Sequence, residues 1–161
     1  MKNLKNYITE YIVKKKLDKP IDSENHYDYF PKTKEELAAN IKELFDKGET
    51  NLNCIDTSAI TDMSYLFGTF NNIKNINFNV SNWDVSNVEN MNYMFKECGI
   101  FDCELSNWNV GKVKHMQHMF HSCYEFKGKG LEKWNVTNLK SMKQIFYNCT
   151  LIENKPSWYK E

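Results

Sequence analysis

Apolar residues return along this chain with a period much longer than that of one helix or strand. Take each tryptophan as position zero. Valine follows at +2 (Val85, Val110, Val136), and valine or leucine at +5 (Val88, Val113, Leu139). Methionine stands at +8 (Met91, Met116, Met142), and an apolar pair at +11 and +12 (Met94–Phe95, Met119–Phe120, Ile145–Phe146). Cysteine closes each copy at +15 (Cys98, Cys123, Cys149). Trp83, Trp108, Trp134 and Trp158 lie 25, 26 and 24 residues apart. An earlier copy starts at Ile55 and puts Thr57, Ile60, Met63, Leu66 and Phe67 in the same slots. A repeat of this length signals stacked units, each of which buries its apolar side only against its neighbours.

Inside a copy two shorter periods alternate. Offsets +5, +8, +11, +12 and +15 recur at three and four residues, the stripe of an amphipathic helix. Ser86 followed by Glu89 reads as a capping box, with Ser58, Thr137 and Gly111 at the equivalent cap position. Upstream, position −3 is apolar in every copy (Leu52, Val80, Leu105, Leu131), and "NINFNV" alternates polar and apolar, which predicts a short strand. Eleven or so helical residues and five strand residues both span roughly 16 Å. The predicted fold class is therefore α/β: a solenoid of strand–helix units over residues 49–161, with about four repeats of 25–28 residues and a short C-terminal cap at "KPSWYKE".

Residues 1–48 read as an N-terminal helical cap. Asn3 to Lys16 aligns Leu4, Tyr7, Ile8, Tyr11 and Ile12, and Thr33 to Lys47 aligns Leu37, Ile41, Leu44 and Phe45. The second helix has a capping box in Thr33 and Glu36 and a stop at Gly48.

The segments "WDVSNVENMNYMF" and "FPKTKEELAANIKELF", the latter followed by "NLNCIDTSAITDMSYLF", resemble the BspA-type bacterial surface-protein repeat, a leucine-rich-repeat relative of about 25 residues per unit. The resemblance covers roughly Phe30 to Cys149. It implies a leucine-rich-repeat-like α/β solenoid and a non-enzymatic role in protein binding, since such repeats often serve in surface adhesion.

Charge changes the picture in one respect. The 21 basic residues are all lysine and are matched by 21 acids, so the whole chain is neutral. Residues 51–105 hold 2 Lys against 7 acids, a balance of −5, whereas residues 106–161 hold 9 Lys against 4 acids, a balance of +5. Opposite fields at the two ends can orient a partner. The absence of arginine argues against bidentate reading of phosphate or guanine. The first residues contain no apolar run long enough for a signal peptide, and no stretch approaches a membrane span. Five cysteines without a secretory signal fit free thiols. The expectation is a cytoplasmic protein with no membrane association.

Each candidate chemistry has a plainer structural counterpart. The +15 cysteines could form a redox or metal ladder, but a buried apolar seat explains them, and no C-x-x-C pair supports zinc. His115, His118 and His121 could offer two ligands to one metal, against exposed residues on an outer helix face. Asp56, Asp84, Asn109 and Asn135 share one position. Amides cannot act as general acids, so turn-forming side chains are expected there. The tryptophan column fits core packing better than stacking on a base or sugar. No nucleophile, phosphate-loop or metalloprotease motif appears, and neither catalysis nor a cofactor is expected.

The leading functional expectation is a non-enzymatic, intracellular protein-binding module. Its strand residues would line the binding face: Asn79, Ser81, Glu104, Ser106 and Glu132, with Lys112, Lys114 and His118 as further partner-binding candidates. A sharper version is a small inhibitor of a host defence system, of the anti-CRISPR kind encoded by mobile elements. A surface adhesin module is the second class. RNA binding through Lys112, Lys114, Lys140 and Lys143 ranks last.

Overall fold

A computed structural model describes residues 27–153 and 155–160. Among these residues the only α-helix is α1, Lys34–Asp46. Thr33 caps it by accepting the Glu36 N–H through its side chain at 3.2 Å, and Gly48, with φ 77°, follows its end. Leu37, Ile41 and Leu44 turn inward from α1 and join the core. The helix expected over Asn3–Lys16 lies outside the described residues.

From Ile55 onward the expected copies stack in register, but they are not strand–helix units. The α/β leucine-rich-repeat-like solenoid is overturned: among the described residues the repeats contain no α-helix and no sheet, only turns, single parallel bridges and two short 3-10 turns, Ile73–Asn75 and Leu131–Lys133. The reason lies in where the backbone hydrogen bonds go. In the segment expected as a helix, Met94 donates to Met91 O, Lys96 to Tyr93 O and Cys98 to Phe95 O, at 3.0–3.2 Å. These are turns of i to i+3, closed at every second residue. The intervening N–H groups leave the coil altogether. Those of Met91, Tyr93, Phe95 and Glu97 donate to the carbonyls of His115, Gln117, Met119 and His121 in the next coil, at 2.8–2.9 Å. Met116, His118, Phe120 and Ser122 repeat the pattern onto Ser141, Lys143, Ile145 and Tyr147. A helix would need those donors for itself.

Backbone angles show the same thing. Tyr65, Tyr93, His118 and Gln144, all at +10, have φ of 53–58°, and Glu97, Ser122 and Asn148, all at +14, have φ of 60–63°. A left-handed residue stops a helix, and two per coil rule one out. The expected capping box is likewise replaced. The Ser86 N–H donates to Asp84 Oδ1 at 2.9 Å, and Glu89 reaches Lys114 of the next coil at 2.7 Å. The expected strand shrinks to an isolated bridge between Asn51 and Asn79.

Between the coils run columns of like side chains. Phe67, Phe95, Phe120 and Phe146 stack with centroids 5.3, 5.4 and 5.9 Å apart. Trp108, Trp134 and Trp158 stack nearly parallel at 6.3 and 6.1 Å. Each indole also donates to the −3 carbonyl of the preceding coil: Trp83 to Leu52, Trp108 to Val80, Trp134 to Leu105 and Trp158 to Leu131, at 2.7–3.0 Å. Met91 and Met116 are fully buried in file, and Met142, in the last coil, is half-buried. No helix among the described residues is long and apolar enough to cross a membrane.

Candidate functional site

Stacking fixes what the outside of the coil presents. At +1 the carboxylate or amide oxygen accepts the N–H two residues on: Asp56 from Ser58, Asp84 from Ser86, Asn109 from Gly111 and Asn135 from Thr137. All four are turn-formers. The same device recurs at −4, where Asn51, Asn79 and Glu104 accept from Asn53, Ser81 and Ser106. Rigid turns thereby set the polar side chains of successive coils side by side.

On the −4 side this creates an open groove of about 410 Å³ across three coils. Asn79, Ser81 and Glu104 line it, joined by Asn51, Asn77 and Asp102, which the sequence did not single out. Three of the expected binding residues therefore meet. Ser106 lies next in register, with its backbone close against Gly130, where any Cβ would come within 2.3 Å of the Ser106 nitrogen. Glu132 is exposed in the second 3-10 turn.

Asp102 fixes one wall. Its carboxylate accepts the Lys127 N–H at 3.2 Å and the ammonium groups of Lys127 and Lys129 at 2.8 and 3.3 Å. Burial pushes its pKa up, but these hydrogen bonds and positive charges outweigh that and hold it below the usual aspartate value.

The remaining candidates lie elsewhere on the coil. Lys112 donates to Asn87 Oδ1 at 2.7 Å and Lys114 pairs with Glu89, so both tie one coil to the one before it. His118 stands at +10 in a surface file that sequence reading missed. Tyr65 stacks on Tyr93 at 4.5 Å, and Tyr93 on His118 at 4.7 Å. His118 meets His121 at 5.5 Å, and His121 stacks on Tyr147 at 4.9 Å. The helical sweep expected of His115, His118 and His121 does not form, because no helix is there. His115 instead makes parallel bridges to Asn90 and Ser141. Burial, then the charges of His121, Lys143 and Lys96, lowers the pKa of His118. No group of three or more metal-binding side chains gathers among the described residues.

The cysteines occupy inner seats. Cys123 donates through sulfur to Phe95 O at 3.0 Å, and Cys149 to Phe120 O at 2.8 Å. Burial pushes the thiol of Cys98 far up and that of Cys149 to about 11, so neither is a thiolate near neutral pH.

Comparison with the curated proteins and with the solved structures finds no match. One protein family does match, over residues 38–159, the span that holds most of α1 and every coil. The chain accordingly belongs to the family described as "Mycoplasma protein of unknown function, DUF285".

Proposed function

We propose that this chain is a non-catalytic protein-binding module whose −4 groove seats an extended segment of a partner protein. The observation that carries this reading is the meeting of Asn79, Ser81 and Glu104 in one open groove spanning three coils. Their backbone is clamped by Asx-type turns and inter-coil hydrogen bonds, so little ordering entropy is lost on binding. Amide, hydroxyl and carboxylate groups with Phe78 beneath them offer hydrogen bonds around an apolar floor. The likeness of the repeats to BspA-type units, which implies protein binding, supports the same reading.

The test is affinity capture from the native host with the wild-type chain beside Ser81→Arg, which places a long cation in the groove without touching the core. A protein retained by the wild type and lost with Ser81→Arg is the expected result. The same set of proteins captured by both would refute the assignment.

A further inference from the structure

The groove holds a row of hydrogen-bond donors whose orientation the backbone itself dictates. Asn51 Oδ1 accepts the N–H of Asn53 at 3.3 Å, Asn77 Oδ1 that of Asp102 at 3.3 Å, and Asn79 Oδ1 that of Ser81 at 3.0 Å. A backbone N–H can be met only by the amide oxygen, so each carboxamide has one possible orientation. The three Nδ2 groups are left over, and they find no acceptor among the described residues. At +4 the corresponding groups are spent on the preceding coil: Asn87 Nδ2 donates to Ser58 O at 2.9 Å and Asn138 Nδ2 to Gly111 O at 2.7 Å.

The spacing of the free donors is that of a main chain. Asn77 and Asn79 are exposed on either side of buried Phe78, so they leave an extended stretch on the same face, about 7 Å apart. Carbonyls on one side of an extended peptide recur at the same interval. Asn51 is bridged in parallel to Asn79, which sets a third donor beside them one coil back. Among the described residues no such bridge joins Asn79 to the next coil, and there the groove opens. Charge adds no selection. Of the two carboxylates in the lining, Asp102 is held by Lys127 and Lys129, so Asp102 and Glu104 together are balanced by two ammonium groups. Nor does the lining offer a sugar ring an open aromatic face, since Phe78 is 3% exposed.

We propose that the groove reads the main chain of its partner: Asn51, Asn77 and Asn79 donate to backbone carbonyls of an extended peptide segment, and that segment needs no particular charge. This rests on the groove reading above and adds what the partner must present. Strand addition to a sheet edge divides the work in the same way, with affinity from main-chain hydrogen bonds.

A phage-displayed library of random linear peptides, panned on the full wild-type chain and counter-screened on Ser81→Arg, supplies the probe. Peptides enriched on the wild type and lost with Ser81→Arg are synthesised and titrated calorimetrically at low and high salt. They should share no obligatory charged residue, and their Kd should change less than about twofold with salt, because no ion pair forms. Asn77→Asp and Asn79→Asp keep the oxygen that accepts the backbone N–H, as Asp84 does where Asn109 stands one coil on, and replace the donor by an acceptor. Each should raise Kd about fivefold or more. Exchanging one peptide amide for an ester, whose carbonyl is the weaker acceptor, should weaken binding at the positions that meet Asn77 and Asn79. Unchanged circular dichroism confirms that each variant is folded. Peptides that bind the wild type and Ser81→Arg alike remove the groove, and this inference with it. Peptides lost with Ser81→Arg but indifferent to both asparagine variants, or dependent on a charged residue and on salt, leave the groove in place and overturn main-chain reading. A library that yields no binder overturns both.

Discussion

Gln144 separates the turn-built coil from the helix that its spacing suggests, because glycine has opposite effects in the two. The residue is exposed and its φ is 53°. A left-handed conformation costs a residue with a Cβ roughly 1–2 kcal/mol, and glycine escapes this cost. Against the gain stands the extra freedom glycine gives the unfolded chain, about 0.4–1 kcal/mol. Gln144→Gly should therefore be more stable than Gln144→Ala by about 1 kcal/mol. In a helix the order reverses, and glycine would be worse than alanine by about 0.8–1.0 kcal/mol. The two structures thus differ by about 2 kcal/mol in one comparison, or about 4–8 °C in Tm for a chain of this size. Urea melts of the full chain, with equal m-values for the two variants, provide the measurement. Glu97, with φ 63°, should give the same sign, while the exposed helical residue Lys42 in α1 should favour alanine. Alanine winning at 144 as it does at 42 would refute the coil geometry.

Four further outcomes follow from the packing and the ion pairs. Trp108→Phe removes the indole donor to Val80 O, but that carbonyl keeps the N–H of Trp83, so urea denaturation should show a loss of about 1 kcal/mol. Trp108→Ala, which opens a hole in the column, should cost about 3–5 kcal/mol in the same assay. At Gly130, φ is 85° and a Cβ would collide with Ser106 backbone and Glu104, so Gly130→Ala should lower stability by about 2 kcal/mol or more in thermal melts. Asp102 has a depressed folded pKa; its contribution is present above the unfolded value of about 3.9 and is lost as pH falls through the folded one. Acid titration of stability should accordingly be shallower below about pH 4 in Asp102→Asn, and an unchanged profile would exclude the Lys127–Lys129 clamp.

What could be read in advance was the register. Trp108, Phe95 and Cys123 occupy inner seats because their columns are exact in the sequence, and the −3 residues Leu52, Val80 and Leu105 are fully buried beside them. The backbone path is not legible in the same way, because the +8, +11, +12, +15 spacing satisfies two geometries. A helix brings those residues inward through its 3.6-residue turn, and a succession of i to i+3 turns does so as well. The signal that distinguishes them was present in the asparagines. Asn90 and Asn92 sit beside Met91, and Asn72 and Asn148 adopt the left-handed conformation. Asparagine is a poor residue for a helix interior and a favourable one for such turns. Thr33 and Glu36 gave α1 correctly, since there the cap, the stripe and the stop at Gly48 agree. The groove was legible in part, because Asn79 and Glu104 share position −4 and Ser81 lies two residues on, at −2. Asp102 and the aromatic row were not, because residues at +10 and +13 looked like an outer helical face that needs no explanation.

The alternation of outgoing and turn-closing N–H groups gives the coil a parity. Adding one residue between +8 and +14 would swap every donor with its neighbour and tear the ladder on both sides, whereas adding an even-numbered pair would still misplace the left-handed residues. Length variation has instead collected at one corner. The stretch from Phe70 to Val80, which includes the 3-10 turn Ile73–Asn75, is longer than its counterpart from Cys98 to Leu105. Within this chain the added residues therefore sit at that corner, while the run from +8 to +14 keeps one length in every coil.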